Sequence, residues 1–304
     1  MSLSVPELET FVFKTAPPLD PAWLEYEEEV RQKGPPRVFN SVLERQPVYA
    51  QECRELNARM MAPGARDYEF SQGIVKKEFT IPSSLDGFPI PILQLELEDD
   101  KSSGPDVVIV YYHGGGLKVG EADSEELSYC MDGFAAFGNQ ETKTIVVGSS
   151  SGGQMAAAVT QAASKGSIHG LLLRCPVTAD GPSGAEFIPE SLRQYHTSVS
   201  STFITSLGGY LQRDAPRDGL DKLPLEATKD ELEGHPRTWI QLASNDTIYS
   251  DGLCYAILLR EMGIEAQVQV EMGWPHTFWL KAPHLAHALA AEKRMVEGLR
   301  WLLE

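Results

Sequence analysis

Hydrophobic and polar positions along this chain change period several times, and each change marks an element. Asp20-Pro21 opens a helix, an N-capping acid followed by proline in the first turn, and Gly34-Pro35-Pro36 ends it near residue 33. Tyr49, Cys53, Leu56 and Met60 fall on one face at helical spacing, so a second helix is predicted over residues 48–61. A strand is predicted over 75–81. In a second, Leu93, Leu95 and Leu97 alternate with Gln94, Glu96 and Glu98, and Asp86-Gly87 marks the turn between them. Residues 107–112 are continuously apolar, the pattern of a strand buried on both faces. Further strands are predicted at 144–147, 171–175, 238–243 and 266–272, with helices at 154–163 and 250–262 and an acidic helix over 124–137. A last helix carries Leu285, Leu289, Val296, Leu299 and Leu303 on one stripe. Alternating strands and helices imply an α/β fold with a mostly parallel, doubly wound sheet. The stretch 176–236 is irregular and rich in Gly, Pro and Ser, which suits a lid or pocket wall.

Composition narrows the class without naming a substrate. The 304 residues read as one domain, 1–304, with cap elements at about 1–65 and 176–236, and 42% hydrophobic content suffices for a substantial core. A net charge of −17 argues against nucleic acid and anionic membranes as partners. Cys53, Cys130, Cys175 and Cys254 lie far apart with no zinc-ligand spacing, so no metal is expected, and Cys175 reads as a reduced core thiol. No basic start, signal-like stretch or membrane-length run occurs, and the expected compartment is cytoplasmic.

Chemistry concentrates in three places. Gly148-Ser149-Ser150-Ser151-Gly152-Gly153 follows one strand and opens a helix. This is a Gly-x-Ser-x-Gly elbow, which holds Ser150 out as a nucleophile. A serine nucleophile needs a base, and His276 in Gly273-Trp274-Pro275-His276-Thr277-Phe278 lies just past the last predicted strand. His284 and His287, at the start of the last helix, are assigned to the surface, and His235 precedes a strand, at the wrong end of the sheet. Asp246, three residues past a predicted strand, is preferred as the orienting acid. Its rival Asp251 starts a helix, where an acid often only complements the dipole. Third, His113-Gly114-Gly115-Gly116 ends a strand, and its bare amides suit a developing oxyanion. The amides of Gly115, Gly116 and Ser151 are the expected oxyanion hole. His113, Gly114, Trp274 and Phe278 are pocket candidates, although core packing suits the two aromatic residues equally.

With HGGG at 113–116, the elbow at 148–153 and the Gly-Trp-Pro-His-Thr-Phe loop, the chain resembles the hormone-sensitive-lipase-like esterases of the α/β-hydrolase superfamily, over nearly its whole length. The resemblance implies hydrolysis of small-molecule carboxylic esters of small to medium acyl groups through an acyl-enzyme, without cofactor, and an N-terminal helical cap. Thioester or lactone cleavage, or a catalytically impaired ligand-binding homologue, are the alternatives; hormone receptors on this scaffold lack the histidine that this chain keeps. The natural ester and the oligomeric state are not legible, and a homodimer is left open. Two departures stand out. Ser149 occupies the elbow position where the family carries Asp. Only the 33 residues 117–149 separate the glycines from the nucleophile, too few for the family's additional interior strand. Either that strand is missing and its neighbours pair directly, or residues near Cys130-Met131 are omitted and a chain gap marks the place.

Overall fold

The computed structural model describes residues 3–35, 37–98, 107–126, 142–204 and 213–304. The expected helix over 124–137 and the junction at Cys130-Met131 lie almost wholly outside these residues. Four helices come first: α1 (Val5–Glu9), α2 (Pro21–Gln32), α3 (Val42–Met60) and α4 (Tyr68–Ser71). Asp20 caps α2 as expected, accepting from the Ala22 amide at 2.9 Å. The third helix begins six residues before the position predicted. Its cap is Ser41, which accepts from the Glu44 amide, and Pro47 sits inside it. Proline there leaves the Leu43 carbonyl without its helical donor, and that residue is exposed, so water can serve instead.

Strands β1 (Ile74–Pro82) and β2 (Pro89–Leu97) form an antiparallel hairpin with a sheet of its own. The main sheet is parallel throughout, in the order β3 (Val107–Tyr112), β4 (Lys143–Ser149), β5 (Gly170–Arg174), β6 (Arg237–Asn245) and β7 (Ala266–Pro275). β3 and β4, on either side of the short segment in sequence, pair directly from Val107↔Lys143 to Tyr112↔Gly148. Among the described residues no strand flanks the other edge of β3. That open edge corrects the expectation for residues 107–112: β3 is half-buried, and Val110 is exposed.

Alternation along the inner strands sorts the core into two layers. Val146, Leu171, Leu173, Ile240 and Leu242 face α5 (Ser151–Ala162) and α6 (Tyr249–Glu261). Ile145, Val147, Leu172 and Trp239 face α8 (Ala286–Leu303), which follows the short α7 (Phe278–Lys281). The buried stripe of α8 is turned from the one expected: Ala288, Ala291, Met295, Gly298, Leu299 and Leu302 face inward. Small residues there allow close approach, and a Cβ on Gly298 would stand 2.5 Å from the Trp239 ring. The described residues of the stretch 176–236 hold only short 3-10 turns, as their composition suggests. No helix among the described residues is long and apolar enough to cross a membrane.

Candidate active site

Three consecutive parallel strands, β4, β5 and β6, and the last strand β7 end on one side of the sheet, and the chemistry-bearing residues meet there. β4 stops at Ser149 and α5 starts at Ser151, so Ser150 carries the whole reversal, at φ +53° and ψ −122°. Side chains avoid this backbone region, and a sharp nucleophile turn is one setting where it persists. Neighbours hold it there: the Ser150 amide donates to Arg174 O at 2.9 Å, and its carbonyl accepts from Gly153 and Val177. The glycines are required by space. A Cβ on Gly148 would collide with the Gly152 carbonyl, and one on Gly152 with the Tyr112 carbonyl.

Ser150 Oγ lies 2.9 Å from His276 Nε2, and His276 Nδ1 lies 2.6 Å from Asp246 Oδ2. A carboxylate only accepts, so Nδ1 carries the proton and Nε2 is free to accept the serine hydroxyl. Both strands that deliver these residues run longer than the sequence pattern suggests: β6 reaches Asn245 and β7 reaches Pro275. Asp246 and His276 are therefore the first residues past adjoining strand ends, which fixes their separation. The remaining Asp246 oxygen, Oδ1, accepts from the Ile248 amide at 3.1 Å. Asp251 has other duties. It bonds His196 Nε2 at 2.9 Å and accepts from the Thr178 and Ala179 amides, all in the interior.

Carbonyl contacts orient the glycine loop. His113 Nδ1 holds Gly114 O at 2.6 Å, and the amides of Lys118 and Val119 hold Gly115 O. Because a peptide unit is planar, fixing those two carbonyls also fixes the Gly115 and Gly116 N–H vectors that share their planes. Gly115 at φ +138° and Gly116 at φ +64° adopt backbone that favours glycine, and a Cβ on Gly115 would strike the Val119 carbonyl. Ser151 is the first residue of α5, so its amide has no partner within the helix. The loop is braced from the N-terminal side: Gln46 of α3 accepts from the Gly120 amide at 2.8 Å and donates to its carbonyl at 2.9 Å.

The aromatic pocket candidates turn out otherwise. Trp274 and Phe278 are 1% and 0% exposed and pack with Trp23, Trp279 and Ala288. They support the His276 turn from behind and have no surface to offer a ligand. His287, assigned to the surface, stacks on Trp274 with ring centroids 4.3 Å apart and bonds Glu271. Cys175 lies with Asp246 and His276 in the one group with metal-ligand chemistry among the described residues. Burial pushes its thiol well above the ordinary value, so it is neutral, and the two other residues are already bonded to each other.

Two further groups escape the sequence reading. Arg174 is fully buried at the end of Leu171-Leu172-Leu173, paired with Glu292 at 3.0 Å and 3.9 Å above the Trp279 ring. A charge ending an apolar strand was its signal. Glu125, also buried, bonds the elbow and the glycine loop together. It stood inside the acidic run that reads as a helix over 124–137.

Comparison with known proteins bears on the family and the fold. A family model described as the α/β-hydrolase fold matches residues 127–280, which include Ser150, Asp246 and His276. No curated protein matches. Among solved structures, a thermostable esterase from Pseudomonas putida is 21% identical, with a TM-score of 0.63 over 94% of this chain and 97% of its own. An esterase from the archaeon Pyrobaculum calidifontis is 17% identical, with a TM-score of 0.67 over 94% and 99%. Vibralactone cyclase is 16% identical, with a TM-score of 0.69 over 95% and 96%. At such identities these likenesses speak for the fold alone. Matched by the family model across half its length, the chain belongs to the α/β-hydrolases, in their hormone-sensitive-lipase-like branch of esterase-type enzymes.

Proposed function

We propose that the protein is a serine esterase that cleaves carboxylic esters of small to medium acyl groups through an acyl-enzyme. The observation that carries this reading is the unbroken relay from Ser150 Oγ through His276 to Asp246, at 2.9 and 2.6 Å. His276 Nε2 takes the serine proton as Oγ attacks the ester carbonyl. The negative oxygen that develops is met by the amides of Gly115, Gly116 and Ser151, and each such donor is worth about 3 kcal/mol. The imidazolium, steadied by Asp246, returns its proton to the leaving alcohol. Water then repeats the sequence on acyl-Ser150 and releases the acid. No step needs a cofactor. A small molecule is the substrate, and the three described cysteines are free thiols, which supports a reducing, cytoplasmic setting.

Lactone or thioester cleavage is the second reading, served by the same relay. A ligand-binding homologue without catalysis is disfavoured by the intact hydrogen bonds of His276. The test is pre-steady-state release of p-nitrophenol from p-nitrophenyl butyrate. One equivalent per protein is expected in the burst, with Ser150→Ala lowering turnover at least about a thousandfold. Folded wild-type protein that shows no burst and takes no fluorophosphonate label would refute the reading. An acyl series on the same leaving group, then a lactone and a thioester panel, ranks the substrate classes.

A further inference from the structure

We propose that Glu125 is a positioning residue that staples the oxyanion loop to the nucleophile elbow; the proposal rests on the esterase reading above. The carboxylate is 1% exposed and makes three hydrogen bonds to three different segments. Oε1 accepts from the Gly114 amide and, at 2.6 Å, from Ser149 Oγ; Oε2 accepts from Tyr111 Oη at 2.8 Å. Ser149 immediately precedes the nucleophile, and Gly114 immediately precedes the first oxyanion amide. One oxygen atom thus spans the two halves of the hole, the Gly115–Gly116 side and the Ser151 side. Packing there is tight: a Cβ added to Gly114 would stand 3.1 Å from Glu125 Oε1 and 3.2 Å from Ser150 Cβ.

A buried carboxylate is costly unless donors surround it, so its retention at this junction calls for a reason. The elbow itself offers none, because Ser149 can share a proton but brings no charge of its own. Glu125 supplies the acceptor from across the cleft instead. Burial of its charge is eased by the Arg174 guanidinium, which feels it, while the neighbouring Glu126 is occupied by Lys76 of the hairpin. Nothing in the relay from Ser150 to Asp246 touches Glu125. Its influence falls on where the amides point, and therefore on the transition state rather than on substrate affinity.

The experiment compares kcat and KM for p-nitrophenyl butyrate in Glu125→Ala, Glu125→Gln and Ser149→Ala, with melting curves to verify folding. Glu125→Ala is expected to lower kcat about a hundredfold with KM nearly unchanged. Glu125→Gln is expected to recover most of that loss, since its carbonyl can accept from Gly114 and Ser149 while its NH2 donates to a rotated Tyr111 hydroxyl. Should Glu125→Ala fail to fold, Ser149→Ala removes one donor and keeps the carboxylate; about a fivefold fall in kcat is expected, again without a KM change. Unchanged kcat in the folded variants, a loss confined to KM, or a glutamine variant as impaired as the alanine one would overturn the proposal. Amide hydrogen exchange at Gly114–Gly116, faster in Ser149→Ala and Glu125→Ala than in wild type, reads the staple without turnover. A wild-type protein with neither burst nor fluorophosphonate label but with this exchange pattern would refute the esterase reading and leave the staple standing.

Discussion

The two walls of the site are built to different standards. On the nucleophile side, β4, β5 and β6 each lie between two strands, and the side chains of Leu171, Leu172, Leu173, Ile240 and Leu242 are fully buried. On the oxyanion side, β3 is an edge with half-buried residues, and the β1–β2 hairpin stands as a separate sheet with Phe79, Ile81, Leu85 and Phe88 exposed. Packing positions Ser150, Asp246 and His276; a few hydrogen bonds, from Gln46, His113 and Glu125, position the glycines. A wall set by packing loses stability when altered. A wall set by a handful of polar contacts loses rate first.

The largest expected stability effect tests the first wall at its buried ion pair. Glu292 holds both terminal nitrogens of Arg174, at 3.0 and 3.1 Å, and Gln241 Oε1 accepts a hydrogen bond from Arg174 Nε at 2.8 Å. Burial alone would make the guanidinium easier to deprotonate, but the charge and hydrogen bonds of Glu292, together with Tyr111 and Glu125, outweigh it and raise its pKa. Glu292→Ala strands a charge in the core and is expected to cost about 3–5 kcal/mol in urea unfolding. Replacing both partners, Arg174→Met with Glu292→Leu, is expected to cost far less, because the desolvation of the charges disappears with them. Equal losses in the single and double variants would mean that the pair is not what locks the Ser150 side.

The same contrast explains what could be read in advance. Period-two alternation and continuous apolar runs are strong where a strand has two neighbours, so β4, β5 and β6 were legible, while the edge strand β7 was legible from the alternation along residues 266–272; Ser150 and His276 were legible as neighbours of strand ends. The exact strand ends were not. Trp274 and Pro275 look like loop residues, yet they extend β7 because Trp23 and His287 cover Trp274. Residues 107–112 misled for the opposite reason: an edge strand can be as apolar in sequence as a central one, and only pairing tells them apart. Asp246 could be separated from Asp251 by strand-end logic, but the partnership of Asp251 with His196, 55 residues away, has no local signature. Glu125 was hidden for the same reason. A carboxylate between other acids looks solvated until the fold shows which donors surround it.

A smaller effect lies at the far end of the packed wall. His235 leads into β6, its Nε2 3.1 Å from Tyr255 Oη, and burial lowers its pKa from 6.5 to about 4. In this window the unfolded chain binds a proton that the native protein refuses. The stability His235 contributes is therefore complete above pH 6.5 and is lost as pH falls toward 4. Over that range the loss is of order 3 kcal/mol, at about 1.4 kcal/mol per pH unit. Urea midpoints at pH 7 and pH 5 are expected to differ less in His235→Gln than in wild type. An unchanged pH slope would move this histidine from the buried wall to the exposed side of the comparison.

The smallest expected effect tests the open wall directly. Phe79 on β1 and Phe88 in the turn leave much of their rings in water, so Phe79→Ser and Phe88→Ser remove little buried surface. Each is expected to shift unfolding by no more than about 0.5 kcal/mol. Leu242→Ala, in the inner layer, is expected to cost about 2–5 kcal/mol in the same assay. The serine variants should also keep wild-type kcat, because the ion pair of Lys76 with Glu126, which ties the hairpin to the oxyanion segment, involves neither ring. Should either serine variant lose 2 kcal/mol or more, those rings are covered in solution, and the difference in packing between the two walls would shrink to the edge of β3 alone.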